Sequence, residues 1–370
     1  MIHHSIEPMT SPLDLRVIEQ TAVRVVPPNG PSYRPAGAPH AFTLVELLVV
    51  LAVAVLFLGV MIPAVDASRE AGRRNACMRN QGRIGEAILA WHQSHDRFPT
   101  GVGFSDEAGG CAPFTGRYLW TFTLLPWLGH ADVAAMIGPR TWGSEPGTFE
   151  SYRAFRETIP VYRCPADTHV LVSSPLHHCV DHTQSNYVGC FSPHGFAVEP
   201  EASAECLSNH QMNGGQRTTD NPTVLSTDPL RTRPGRSVFN FSGVPRSLAS
   251  VADGTSRTIM LSEVIAGDGR GVWWTETGVQ YSHWKTPNWP GPDRYGGHGS
   301  PPLRSTKPGL PDQVPGPGGW PALLFAARSR HPGAVVATAA DGSVRIVRDD
   351  VAPQVWTALG SMDGGDASTP

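Results

Sequence analysis

Among the residues whose types and spacing could do chemistry, His331 and Asp341 stand ten positions apart, with Gly342 next to the aspartate. A histidine beside a carboxylate is an acid–base pair, or two ligands for a metal ion. The same Asp-Gly pair is also the strongest short-range hairpin signal. The turn is the expected role, with His331 capping or packing beside it, because no nucleophile motif accompanies the pair. The chain holds no G-x-S-x-G, no H-E-x-x-H, no Walker sequence and no EF-hand loop. His177, His178, Cys179, Asp181 and His182, with His169 nearby, make a denser ligand set. Adjacent ligands rarely reach one ion from one regular element, so a solvated loop is expected and His177, His178 and His182 are weak metal candidates. Asp253 reads as a turn residue like Asp341. The expectation is a protein that is not an enzyme and carries no cofactor.

Six cysteines stand at 77, 111, 164, 179, 190 and 206. The absence of C-x-x-C removes support for zinc ribbons, thioredoxin-like sites and haem attachment. Clustering between 111 and 206 points, in an exported protein, to one or two disulfides among Cys111, Cys164, Cys179, Cys190 and Cys206. The spacing does not choose their pairing. Between Val272 and Trp289 four tryptophans and Tyr281 recur. Exposed, such rings stack on sugars or anchor protein partners; buried, they fill a β core, which is the expected role.

The remaining chemical residue is Glu46, and its surroundings decide the class. From Leu47 to Ile62 every residue is apolar or glycine (LLVVLAVAVLFLGVMI), and the flanks from Phe42 to Val65 extend the run. That length crosses a hydrocarbon layer of roughly 30 Å as a helix. A carboxylate one turn inside such a helix costs several kcal/mol unless it is paired, so Glu46 is a functional candidate.

The string Ala41-Phe42-Thr43-Leu44-Val45-Glu46-Leu47-Leu48 resembles the processing site of type IV prepilins and type II secretion pseudopilins. The resemblance implies that a prepilin peptidase cuts between Ala41 and Phe42 and that Phe42 is N-methylated. Glu46 becomes the fifth mature residue, the one used in assembly, and Pro63 marks a bend in the helix. Ala41 departs from the family's usual Gly before the cut. A buried glutamate then finds its cation in the freed amino terminus of a neighbouring subunit. Residues 1–41 read as a disordered leader, rich in proline. Arg69, Arg73, Arg74, Arg79 and Arg83 follow the apolar run and would hold the body in the cytoplasm by the positive-inside rule. The processing motif and the cysteines outweigh that rule and imply export, with Glu70 and Glu86 as candidate partners for the arginines.

The helix is expected to continue to about His95, because Cys77, Ile84, Ile88 and Trp91 repeat on one helical face that packs on a body. Arg97-Phe98-Pro99 ends it. With 39 Gly and 35 Pro in 370 residues, and no short period, the body is loop-rich and more β than α. Tyr118 to Leu128 is an aromatic patch, helix or strand, broken at Pro126. Thr258 to Val264 reads as a buried strand. Ala334 to Ala340 and Ser343 to Val347 read as a hairpin around Asp341-Gly342. Residues 285–320 read as a long irregular insertion. A net charge of -3 without clustered Lys and Arg argues against nucleic acid as a partner.

Several of these pieces together resemble one large bacterial family, a domain of unknown function behind prepilin-type N-termini. Its C-terminal signature is His, nine residues, then Asp-Gly, which His331, Asp341 and Gly342 match. Further matches run through Arg69 to Ala90, Phe98-Pro99, Cys164-Pro165-Ala166-Asp167 and Asn186-Tyr187-Val188-Gly189. They continue through Asp253-Gly254-Thr255-Ser256 and Trp356-Thr357-Ala358-Leu359-Gly360.

The expected fold is α+β and pilin-like, a long N-terminal helix against an antiparallel sheet with long loop insertions. The expected parts are leader 1–41, membrane or assembly helix 42–65, packed helix 66–96 and exported body 97–370. The expected role is structural, in a type II secretion or type IV pilus-like system. Its partners would be prepilin peptidase, the assembly machinery, other pilin-like subunits and the membrane. It would sit in the inner membrane as a single-pass protein, body periplasmic or in a pseudopilus. The alternative is a monomeric, membrane-anchored envelope protein whose Trp-rich body binds glycan or protein.

Overall fold

The computed structural model describes residues 43–103, 118–137, 149–169, 172–173, 181–192, 236–240, 246–267, 270–273, 278–295, 304–305, 307–315 and 324–365. The chain divides into two compact units, Met1–Val60 and Met61–Pro370. Ala41 and Phe42 lie outside the described residues, as do Cys111, His177, His178, Cys179 and Cys206.

Leu44–His95 form one helix, α1, of 52 residues. Thr43 caps it: its hydroxyl accepts the Glu46 N–H at 3.2 Å while the Glu46 carboxylate accepts the Thr43 N–H at 2.9 Å. This reciprocal pair is a capping box, and it satisfies donors that the first turn would otherwise leave unpaired. The apolar part of α1 is exposed throughout and is long and apolar enough to cross a membrane by length and composition. Pro63 sits inside α1 and the helix continues across it; proline offers no N–H to the Gly59 carbonyl four residues back. The end falls where the sequence places it. Asp96 turns left-handed (φ 51°), its N–H reaches His92 O at 2.8 Å, and Phe98-Pro99 follow.

The first body segments are short. Val102–Gly103 (β1) pairs with Tyr118–Leu119 (β2), and Trp120–Leu124 (α2) runs into a 3-10 turn at Pro126–Leu128. The aromatic patch is therefore a short strand, a helix and a turn in succession. Ala131–Ile137 (α3) and Phe149–Arg156 (α4) follow, then the two-residue pair Val172–Ser173 (β3) and Asp181–His182 (β4).

The main sheet uses Tyr187–Ser192 (β5), Ile259–Glu263 (β6), Gln280–Ser282 (β7), Ala334–Ala339 (β10) and Val344–Arg348 (β11), in the order β11-β10-β6-β5-β7. The expected antiparallel sheet is thus corrected to a mixed one, since β5 and β7 run parallel. β7 follows β6 in the chain yet pairs with β5 on its far side, and local patterning carries no trace of that choice. Every residue of β5, β6, β7 and β10 is buried, so both faces of these strands are covered. Side chains alternate between two cores: Val335 and Ala337 of β10 join Val188, Tyr281 and Trp356, while Val336 joins Tyr187, Leu261 and Ile84 of α1.

The hairpin forms as expected, with Ala334 opposite Arg348 and Thr338 opposite Val344. Gly342 takes φ +84°, and its N–H bonds Ala339 O at 2.9 Å, the geometry of a type I turn closed by a glycine bulge. The expected irregular insertion is corrected in part. It holds Asp293–Tyr295 (β8) and Gln313–Pro315 (β9), a parallel pair. Asp293 is fully buried there, between Arg270 and Arg328 at 2.7 Å each. Pro353–Leu359 form the last helix, α5, and bury Trp356.

α1 docks on β10 through polar hooks as well as its apolar stripe. Gln81 is fully buried; it donates to Val336 O at 2.9 Å and accepts from the Thr338 hydroxyl at 2.7 Å. A Cβ on Gly85 would come 3.1 Å from a Thr338 methyl, so the absent side chain lets helix and strand approach.

Candidate functional site

Glu70 and Cys77 lie seven residues apart on α1, which puts them on one face of the helix. Across from them stand Cys164, just after the Pro160–Tyr162 turn; Glu263, at the end of β6; and His331, in the turn leading into β10. Four segments remote in sequence thus meet at one buried point.

Cys77 and Cys164 are joined as a disulfide with Cα atoms 5.2 Å apart. This corrects the expected pairing set, from which Cys77 was missing. Cys77 reads as one more small apolar residue of the stripe, and its covalent role was hidden by that pattern. Cys190, a member of the set, is a free buried thiol whose pKa burial pushes up to about 12. The crosslink spans 87 residues of sequence, a loop whose closure accounts for roughly 4 kcal/mol in chain-entropy terms.

His331 lies against this disulfide. Its Nε2 is 3.5 Å from Cys164 Sγ and 3.6 Å from Glu263 Oε1, while its Nδ1 is 2.6 Å from Glu70 Oε1. Burial acts to lower the His331 pKa, but the two carboxylates outweigh it and the net shift is upward. For Glu70 burial acts upward, and hydrogen bonds from His331 and Arg73 carry it below the usual carboxylate range. Glu263 is 1% exposed; its Oε2 accepts the Val336 N–H at 2.8 Å, and its Oε1 has no hydrogen-bond partner among the described residues. Cys77 Sγ, Cys164 Sγ, a Glu263 oxygen and a His331 nitrogen lie within 4.8 Å of one another.

His331 and Asp341 do not form a pair. They sit beyond opposite ends of β10, and the Asp341 carboxylate accepts the Ser343 N–H at 2.9 Å, a turn role. Of the denser ligand set, His182 lies in β4, and His169 bonds the Asn186 side chain. Among the described residues the potential metal ligands that converge are the four around the disulfide. Sequence reasoning missed Glu263 altogether and treated Glu70 only as an arginine partner.

Residues 66–354 match the family model SBP_bac_10, described as Protein of unknown function (DUF1559). The chain belongs to this family. No curated protein and no solved structure matches it. Within this DUF1559 chain the sequence blocks singled out above interlock. Asn186 accepts the Cys164 N–H at 2.9 Å and donates to Asp167 at 2.8 Å and to Val264 O at 2.9 Å, tying Cys164-Pro165-Ala166-Asp167 to β5 and β6. Asp167 also holds Lys307 at 2.9 Å and Arg330 at 3.3 Å, one residue before His331. Asp253 accepts from Ser361 and from the N–H groups of Gly364 and Gly365, pinning the end of the described chain. These blocks are scaffold, and the chemistry they surround is the cysteine pair with His331, Glu70 and Glu263.

Proposed function

We propose that this DUF1559 protein is a pilin-like envelope protein with a structural role in a type II secretion or type IV pilus-like system. A prepilin peptidase would cut it before Phe42, and its N-terminal helix would anchor it or assemble it. The observation that carries this reading is the exposed apolar stretch of α1 with one carboxylate, Glu46, in its first turn. In the uncut chain Glu46 serves the capping box with Thr43. Cleavage puts a new amino terminus one residue before Thr43, and the carboxylate then has a cation to take in its own or a neighbouring subunit.

Two further observations support the reading. A buried disulfide suits a body exported to an oxidising compartment. Arg73 and Arg74 lie 2.8 and 3.9 Å from Glu70 one turn earlier on α1, the acidic partner expected for them in an exported body. The alternative, a glycan- or protein-binding anchor, needs exposed rings. Trp273 and Tyr281 are buried, and Lys285 lies over the half-buried Trp284 at 5.3 Å and Trp289 at 4.7 Å, so much of the aromatic area of that run serves the body.

Mass spectrometry of the amino terminus from isolated membranes tests the proposal. A methylated Phe42 start is the expected result. An intact residue 1–41 segment on the mature protein would overturn the processing step and leave a plain membrane anchor.

A further inference from the structure

Glu263 places a carboxylate oxygen that accepts no hydrogen bond, 3.6 Å from the His331 Nε2, beside two sulfurs, all buried, and that is more ligand chemistry than a site that only holds a disulfide needs. We propose that, in the dithiol state of this chain, Cys77, Cys164, Glu263 and His331 bind one divalent ion of the zinc class, and that forming the Cys77–Cys164 disulfide releases it.

Two thiolates, one imidazole and one carboxylate are a zinc-type donor set of four. Their atoms already fall within 4.8 Å of one another. Tetrahedral coordination asks for neighbouring sulfurs about 3.8 Å apart, so breaking the S–S bond and turning the two side chains outward opens the needed space. The outer shell is present as well. His331 turns Nε2 toward Cys164 and Glu263, and Nδ1 meets the Glu70 carboxylate at 2.6 Å. A carboxylate behind a histidine is how metal-bound imidazoles are oriented and made more basic. Glu263 is itself positioned, because its Oε2 accepts the Val336 N–H and Oε1 is left for the ion.

The balance is simple. Binding displaces one proton from each thiol and one from Nε2 of a protonated His331, while Nδ1–H stays on Glu70. Oxidation by a disulfide of a protein or small-molecule oxidant removes two electrons from the two sulfurs. The S–S bond forms, the oxidant takes the two electrons, and two protons from water, to become a dithiol, and the ion leaves because its two strongest ligands are gone. The chain would thus keep its helix fastened to its body by metal when reduced and by sulfur when oxidised. This inference stands on the body alone and holds whether or not the helix is processed or assembled.

The test is cobalt(II) titration of the full chain in detergent, refolded either with a thiol reductant or fully oxidised. The reduced chain should take one equivalent with sulfur-to-cobalt charge transfer and tetrahedral ligand-field bands, and zinc should displace it. The oxidised chain should show neither band. Glu70→Gln should weaken binding about 10–100-fold. Glu263→Gln, which keeps an acceptor for the Val336 N–H, should weaken it at least as much. The proposal falls if the reduced chain, folded by circular dichroism, shows no thiolate band, or if Glu263→Gln binds cobalt unchanged. It falls equally if the reduced chain stays unfolded in the presence of zinc, whereas folding restored by zinc alone supports it.

Discussion

The two halves of α1 share one secondary structure and follow opposite rules. From Leu47 to Val60 the helix is apolar on every side, and its side chains are exposed. From Glu70 to His92 it carries one buried stripe, and that stripe mixes apolar residues with a carboxylate, a cysteine and an amide. A helix apolar all round finds partners in lipid or in other helices without a fixed register. A helix with polar hooks has one register only, because each hook has its own partner: Glu70 with His331, Cys77 with Cys164, Asn80 with Arg163 O at 2.9 Å, Gln81 with Val336 O and Thr338. Apolar area supplies attraction, and the hooks decide where it is used.

That contrast can be broken by mutation. The largest effect is expected from Cys77→Ser, which should lower body stability by about 4 kcal/mol in oxidising buffer, read from the urea midpoint of the full chain in detergent. A loss below about 1 kcal/mol would mean the helix register is set elsewhere. Next comes Asp167→Asn, which strips Lys307 of its buried partner and should cost about 3 kcal/mol. Burial raises the Asp167 pKa, but Lys307, Asn186 and the Ala266 N–H outweigh it, so its folded pKa lies below the unfolded value. Its contribution is therefore whole above the unfolded pKa of about 4 and is lost as pH falls through the folded one. Between about pH 5 and pH 2 the wild-type midpoint should fall more steeply than that of Asp167→Asn; parallel curves would contradict the assignment.

Gln81→Leu sharpens the comparison at a smaller scale. It fits the stripe by polarity yet takes the acceptor from the Thr338 hydroxyl and leaves the Val336 carbonyl with the Ser262 hydroxyl alone as its side-chain donor, at about 2 kcal/mol. Stability equal to wild type would show that the stripe works by apolar area alone. Glu46→Ala belongs to the other half and should leave the urea midpoint of the body where it is. The variant should still be cut and held in the membrane while losing filament incorporation; normal incorporation would sink the assembly role of Glu46.

Local chemistry made much of the fold readable. The helix end at Phe98-Pro99, the strand after Thr258 and the hairpin at Asp341-Gly342 each rest on a few adjacent residues, and each stands where expected. What went unread depends on distant segments meeting. The parallel β5–β7 pair joins strands separated by a long stretch of chain, and β8 pairs with β9 inside a stretch whose Pro and Gly content suggested no strands. The site suffered the same way. His331 was visible as a chemical residue, but its neighbour in sequence pattern, Asp341, was a turn residue, and its true neighbours come from α1 and β6. Glu70 and Cys77, one heptad apart on a face predicted to pack, were the available clue.

The position of the disulfide within α1 has a mechanical consequence. A pull applied to the N-terminal end of this helix travels along its axis and meets Cys77 before it meets Gln81, Ile84 or Ile88. Only the Glu70–His331 pair stands ahead of the covalent link, and the weaker contacts behind the link are shielded from being peeled away one at a time. Cut that link, and the same force would unzip the helix from the sheet turn by turn.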